Sequence, residues 1–325
     1  MLAGYNLIVF EEPWVLTAVT PQCEAALSAF YLAVRGGEET AKPRAREMST
    51  DCEVGAGVDA SDWGFRPDRY ERLVRSVGEK ERLSFVGFVG HSWGVARLAY
   101  LENYRFDWSV LIRPFPLGVR VDRLVSARAA MLGSYSLPPT LIGGDVALQS
   151  RSLPVSRFDA LSSWVALGYV DDDEVPDVQA KLDSRASTDM ELIGQMSDSY
   201  WGRYRVASMS PAFLAQVQEM CSLVGGSSEP LAGVADSRDI IRAQFLPCDG
   251  GDPGTVVLPE MNQVCVVTSS QDTVVPETLI RPGLFENSAR QVAWVESKVR
   301  SHRSFDGGDR CLQKVIGVNG VSTDG

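Results

Sequence analysis

The sequence predicts an α/β protein, a mainly parallel sheet flanked by helices, with a large and mostly helical insertion. Three observations carry this. Short apolar, β-prone runs alternate with helical spacings over the first 118 residues. The alternation stops between residues 119 and 256, where helical and irregular stretches follow one another. It returns at Asn262–Thr268, NQVCVVT, and continues to the end of the chain. Strands separated by helices close a parallel sheet through right-handed crossovers. The expected division is therefore a core of residues 1–118 and 257–325, with residues 119–256 as an inserted cap.

In chain order, Asn6–Phe10 reads as a short buried strand, and Glu11-Glu12-Pro13-Trp14 as the loop after it. Pro21–Val34 has helical spacing, with Ala25, Leu27, Phe30, Tyr31 and Val34 on one face, ended by Gly36-Gly37. Residues 38–52 are polar and read as a surface connection. Val54–Val58 reads as a weak strand, running into the loop Asp59–Gly64. Pro67–Val77 is a helix, with proline in its first turn and Tyr70, Leu73, Val74 and Val77 on one side. Arg82–Tyr100 then combines an apolar run, Leu83–Val89, an abrupt turn, Gly90-His91-Ser92-Trp93-Gly94, and a helix whose buried side holds Val95, Ala96, Leu98 and Ala99. Trp108–Ile112 is a further buried strand, closed by Arg113-Pro114-Phe115-Pro116.

Within the insertion, Arg120–Leu132, Phe158–Val170, Val178–Met196 and Pro211–Val224 have helical character. The acidic run Asp171-Asp172-Asp173-Glu174 reads as a solvated loop, because a hard-metal site needs converging ligands. Beyond Asn262–Thr268 come a short helix at Glu277–Ile280, a strand at Gln291–Val295 and a final helix at Gly308–Ile316.

Composition bounds the function. The 325 residues are 45% hydrophobic and 22% charged, ordinary for a chain with a sizeable core, and carry a net charge of -11. Such a surface repels a phosphate backbone or an anionic membrane, so neither nucleic acid nor membrane is expected as a partner. No apolar run reaches the ~18 residues that span a bilayer. Glu11 and Glu12 interrupt the first apolar stretch, so no secretion signal is read. The cysteines at 23, 52, 221, 248, 265 and 311 are scattered without a C-x-x-C pair, and are expected to be reduced thiols of a cytoplasmic protein. No nucleotide-binding glycine pattern or metal-ligand cluster is present, and no cofactor is expected.

The chemistry centres on Ser92. A serine perched between strand and helix sits in a strained backbone, and the flanking glycines relieve crowding. The backbone N–H of Trp93 and the helix N-terminus face any negative charge developing there. A serine hydroxyl needs a base in hydrogen-bond reach, and that base needs an orienting acid. The chain has two histidines, His91 and His302. His91 adjoins the serine, should point away and packs beneath the turn. His302 lies in a loop after the last strand and suits the role of base. Asp272 follows the strand ending at Thr268 and is the only carboxylate between Glu260 and Glu277. It reads either as a helix N-cap or as the acid that orients His302.

With those residues in view, the chain resembles the α/β-hydrolase superfamily. The turn Gly90–Gly94, the loop Ser270–Pro276 and the late Ser301-His302-Arg303-Ser304-Phe305 are similar to its three signatures, and Asp59–Gly64 is similar to the loop after its fourth strand. The resemblance covers about residues 5–117 and 257–320. It implies that Ser92 is the nucleophile, Asp272 the acid and His302 the base. Two departures stand out. The family opens with two further strands, and its usual His-Gly-x-Pro oxyanion loop is Phe10-Glu11-Glu12-Pro13 here. Trp93 and Glu12 are the expected backbone oxyanion donors, and Glu11, Trp14 and Trp201 candidate substrate contacts. Tyr200 and Tyr204 are further candidates for an apolar pocket under the cap.

The expected function is hydrolysis of an ester or thioester of a small organic molecule through an acyl-enzyme. A hydrolase-fold lyase that eliminates a carboxylate from an acylated intermediate in natural-product biosynthesis is the alternative. A non-catalytic binder on the same fold is a third, disfavoured by the presence of all three triad residues.

Overall fold

The computed structural model describes residues 6–10, 20–37, 39–55, 67–133, 144–183, 186–203, 210, 213, 219–221, 223–226, 233–248 and 253–317. Its centre is a sheet of four strands, β1 (Gly87–His91), β2 (Arg105–Ile112), β3 (Glu260–Thr268) and β4 (Ala289–Glu296), in the order β1-β2-β3-β4. Every neighbouring pair is parallel. The register puts His91 beside Ile112, Ile112 beside Val267, and Thr268 beside Glu296. All four strands therefore end at one level, and the loops leaving them share one edge of the sheet. In open parallel sheets, that edge is where ligands bind.

The interior strands are buried because their residues are. In β3, Val264, Cys265, Val266 and Val267 are all enclosed, and in β2 so are Ser109, Val110 and Leu111. Helix α1 (Pro21–Gly36) begins at Thr20, whose hydroxyl accepts from the N–H of Cys23, and ends at Gly37, whose φ of 65° is the left-handed cap glycine permits. Helix α2 (Ala41–Gly55) packs on α1 and buries Ala41, Ala45, Met48 and Cys52. Helix α3 (Pro67–Glu81) precedes β1 and buries Tyr70 and Val74.

Between β2 and β3 the described regular elements are helices, joined by loops and by one isolated antiparallel bridge between Val146 and Val155. They include α4 (Val121–Leu132), α5 (Arg157–Ala166) with a 3-10 turn at Leu167–Tyr169, α6 (Val175–Asp183), α7 (Ser187–Tyr200) and α8 (Ser237–Gln244). A buried ionic network holds this part to α1. Asp159 takes bonds from Arg35 at 2.9 Å and Arg151 at 3.4 Å, and Asp198 takes bonds from Arg151 at 2.9 Å and Arg203 at 2.6 Å. Burial opposes ionisation of Asp159, but the Arg35 bond and charge win and lower its pKa.

Several expectations are corrected. Asn6–Phe10 pairs with no strand among the described residues; Phe10 instead packs against Tyr70 and Phe85. The polar stretch from Ala41 is α2, not a surface connection, and Val54 lies in the last turn of that helix instead of starting a strand. Its four buried small or apolar positions are spaced for a helix, although polar residues lie between them. Leu73 is half exposed, so the inner face of α3 is narrower than expected. The run expected as one helix over Val178–Met196 is two, α6 and α7. The first strand is shifted toward the turn, and residues Ser92–Tyr100 form a 3-10 helix. Pro211–Val224, Asp59–Gly64, Tyr204 and the Glu11–Trp14 loop lie wholly or largely outside the described residues.

The cysteines are not reduced. They form three disulfides, Cys23–Cys52, Cys221–Cys248 and Cys265–Cys311. Spacing alone hid them, because each joins elements far apart in the chain. The first ties α1 to α2, and the third ties β3 to the last helix, α10 (Gly308–Ile316), which follows α9 (Pro282–Glu286). Disulfides persist in oxidising compartments, so a reducing cytoplasm loses the support that scattered thiols gave it. Among the described residues no helix is long and apolar enough to cross a membrane. Thiol titration of the denatured, unreduced protein should find no free thiol, and all six should appear after reduction; free thiols before reduction would contradict the pairing.

Candidate active site

The turn after β1 places Ser92 with φ of 51°, in the left-handed region that a side chain rarely adopts. Gly90 makes this turn possible. A Cβ there would meet the backbone N and Cα of Val95 at 3.1 Å. At Gly94, by contrast, an added Cβ meets nothing within 4 Å among the described residues, so the expected crowding exists at one glycine only. Trp93 follows in the first turn of the 3-10 helix, where a backbone N–H has no intrahelical acceptor.

The loops after β3 and β4 bring two further residues to Ser92. The Ser92 hydroxyl lies 2.6 Å from His302 Nε2, and His302 Nδ1 lies 2.7 Å from Asp272 Oδ2. With Nδ1–H donating to the carboxylate, Nε2 is left to accept from Ser92. Asp272 and His302 are almost fully buried. The other carboxylate oxygen of Asp272 accepts from the backbone N–H groups of Val274 at 2.8 Å and Val275 at 2.9 Å. Burial would raise the pKa of Asp272, but His302, Val275 and Arg113 together hold it below the ordinary carboxylate value. It is therefore ionised beside the imidazole at neutral pH.

Arg113 is the residue that sequence reasoning missed. It was expected only to help close β2, yet it is 1% exposed and lies under the site with φ of 48°. Its Nη1 donates to Asp272 Oδ2 and to the Arg300 carbonyl, each at 3.2 Å. Its Nη2 donates to Ser297 Oγ at 3.1 Å and to the Val299 carbonyl at 2.7 Å. One guanidinium thus links the carboxylate to the loop that carries His302. The available signal was its place at the end of a buried strand.

The acidic run is also corrected. Asp172 is not idle in solvent: its oxygens accept the N–H of Arg300 at 2.8 Å and of Ser301 at 2.8 Å, and Asp171 accepts from the Ser301 hydroxyl at 3.2 Å. The N–H of His302 donates to the Gly168 carbonyl at 2.8 Å. Gly168 has no room for a side chain, since a Cβ would come within 2.7 Å of Val274. The helical segment between β2 and β3 therefore grips the His302 loop at several points.

His91 does not touch Ser92 Oγ as a base would. Its Nε2 donates to the His302 carbonyl at 2.8 Å, and its ring packs against His302 and Phe305. Burial and the neighbouring His302 lower its pKa to about 4, so it is neutral at physiological pH. Trp93 lies over Phe115 and donates through Nε1 to the buried Glu219 at 3.0 Å, which also pairs with Arg97.

A cavity of about 610 Å³ opens in front of Ser92, walled by Trp93, Phe115, Tyr169, Tyr200 and Phe245 among others. Trp201 is absent from this wall. It is fully buried, stacked on Phe158, and donates to Ser162 Oγ at 2.9 Å. Its place as a substrate contact is corrected to core packing, while Tyr200 does reach the cavity. Glu11, Glu12 and Trp14 lie outside the described residues. Among the described residues no cluster of His, Cys, Asp or Glu is arranged to hold a metal.

The parallel sheet, the left-handed serine between strand and helix, and the loop positions of Asp272 and His302 define an α/β-hydrolase fold. No family model and no curated protein matches the chain. Among solved structures it is similar to an epoxide hydrolase of the α/β-hydrolase superfamily from hot-environment metagenomes (13% identity, covering 78% of this chain and 75% of that one, TM-score 0.34). It is also similar to homoserine O-acetyltransferase from Bacillus anthracis (12% identity, 78% and 64% covered, TM-score 0.36). A third is an α/β-hydrolase fold protein from Nakamurella multipartita (11% identity, 92% and 88% covered, TM-score 0.32). The fold assignment rests on the sheet and the turn, not on these low overlaps.

Arg113→Met should destabilise the protein by about 3–5 kcal/mol, the usual cost of removing one partner from a buried ion pair. Urea denaturation measures it, and an unchanged midpoint would show that the guanidinium does not hold the His302 loop.

Proposed function

We propose that the protein is a serine hydrolase that cleaves an ester or thioester of a small organic molecule through an acyl-enzyme on Ser92. The observation that carries this is the continuous hydrogen-bond chain from Ser92 Oγ through His302 to the ionised Asp272. His302 Nε2 takes the serine proton as Oγ attacks the carbonyl carbon. Asp272 holds the imidazole in the required tautomer and stabilises the imidazolium. The negative charge that develops on the carbonyl oxygen is met by the backbone N–H of Trp93, with Glu12 as the proposed second donor. His302 returns the proton to the leaving group. Water then repeats the cycle on the acyl-enzyme and releases the acid.

The alternative, elimination of a carboxylate, requires His302 Nε2 to face a proton on carbon. That nitrogen instead faces the Ser92 hydroxyl at hydrogen-bond distance, which favours acyl transfer. Residues 119–256 act in this reading as a cap, because Tyr169, Tyr200 and Phe245 wall the cavity and Asp172 clasps the His302 loop. The disulfides support action in an oxidising compartment instead of the cytoplasm.

A fluorophosphonate probe should label the protein once, on Ser92, and fail on Ser92→Ala and His302→Ala. Undiminished labelling of His302→Ala would remove His302 from the role of base.

Once an ester that the protein turns over is in hand, Asp272→Asn should keep the fold and lower kcat by roughly 10⁴, as in the serine-protease template. Near-normal kcat in that variant would assign the acid to another carboxylate.

A further inference from the structure

The described residues include five buried arginines: Arg97, Arg113, Arg128, Arg203 and Arg242. Four of them have a carboxylate within ion-pair distance, namely Glu219, Asp272, Asp198 and Asp239 respectively. Arg128, on α4, does not: among the described residues it forms no ion pair. It is 5% exposed, and its Nε and Nη2 are enclosed without a hydrogen-bond partner among those residues. A buried cation is expensive unless it is paired, so an unpaired one calls for a missing anion.

The place of Arg128 says where that anion comes from. Arg128 lines the same cavity as Ser92, and among the described residues none that lines it is acidic. The remaining wall is largely apolar, with Phe115, Phe213, Met196 and Val274. The Tyr200 hydroxyl adds a second polar group near the guanidinium: it is buried, and the charge of Arg128 acts on it. Arg303 adds a further positive charge at the exposed side of the cavity. Nε and Nη2 form the side edge of the guanidinium, the two-donor fork that matches both oxygens of one carboxylate.

We propose that Arg128 binds a carboxylate of the substrate, so that the ester or thioester cleaved at Ser92 carries a free carboxylate joined to the reacting carbonyl by an apolar body that lies in the cavity. This deepens the acyl-transfer reading and rests on it for the word ester; the anion site itself does not. The net charge of the chain does not oppose such a substrate locally, because the charged residues among the described lining, Arg128 and Arg303, are both positive.

The test uses a matched pair, the 4-nitrophenyl monoester of adipic acid and its methyl ester, which differ in one negative charge. The wild-type protein should favour the free acid in kcat/KM. Arg128→Met, close in volume and uncharged, should lose that preference by roughly 10- to 100-fold, the usual cost of a charge-assisted hydrogen bond. Arg128→Lys should fall between the two, because it keeps the charge but not the fork. If Arg128→Met does not fold, the Lys variant decides, and unchanged discrimination in it overturns the proposal. A wild-type protein that prefers the methyl ester, or an Arg128→Met protein that still prefers the acid, also overturns it.

Calorimetric titration of adipate into Ser92→Ala separates the anion site from the chemistry. Binding there that Arg128→Met abolishes supports the site even if neither ester is cleaved, in which case the acyl-transfer reading alone fails. No adipate binding to Ser92→Ala with Arg128 intact overturns the site, as does displacement of adipate by inorganic phosphate at equal concentration.

Discussion

A buried carboxylate carries the site. Asp272 has lost nearly all its water, and a carboxylate in that position stays charged only if donors surround it. Here they do: two backbone N–H groups on one oxygen, and His302 with Arg113 on the other. The charge in turn fixes the tautomer of His302 and leaves its Nε2 able to accept from Ser92. Arg113 ties the same carboxylate to the carbonyls of Val299 and Arg300, so the acid and the histidine loop are positioned by one group. Removing any donor raises the cost of the charge and loosens the loop together.

The sheet makes this convergence possible. The strands are parallel and in register, so Ser92, Arg113, the Asp272 loop and the Ser297–His302 loop all leave the same edge. The Cys265–Cys311 disulfide fastens β3, which precedes Asp272, to the helix that follows His302. From the other side, Asp172 and the Gly168 carbonyl hold the backbone of residues 300–302. The histidine loop is thus held both by the Arg113 guanidinium and by the helical segment between β2 and β3. Ser92 itself is held in a left-handed conformation, a strain that a close-packed strand and helix on either side sustain.

Ser92, Asp272 and His302 were legible because each stands in a local setting with few competitors: a glycine-flanked turn, a strand end with one carboxylate, and one of two histidines. The β3 and β4 strands and the last helix were legible from apolar runs and spacing. The supporting groups were not. Arg113 looks like any arginine after a strand, and only the fold reveals four hydrogen bonds beneath it. Asp172 sits in an acidic run whose partners are backbone N–H groups 128 and 129 residues away, which no local pattern encodes. Arg128 falls in an amphipathic helix, where an arginine ordinarily marks the wet side. The disulfides join cysteines 27 to 46 residues apart across different elements, so spacing carried no hint of them. Helix α2 was missed because two of its four buried positions are alanine and polar residues lie between them, which leaves little apolar contrast.

The central claim is that Ser92 becomes acylated, with His302 moving the proton. The most direct measurement is acid quenching of the protein during turnover of an activated ester, followed by intact mass and peptide mapping. The account predicts a mass increase equal to one acyl group, located on the peptide that contains Ser92 and absent from Ser92→Ala. Turnover of the same ester with no acyl adduct, undiminished in Ser92→Ala, would contradict it.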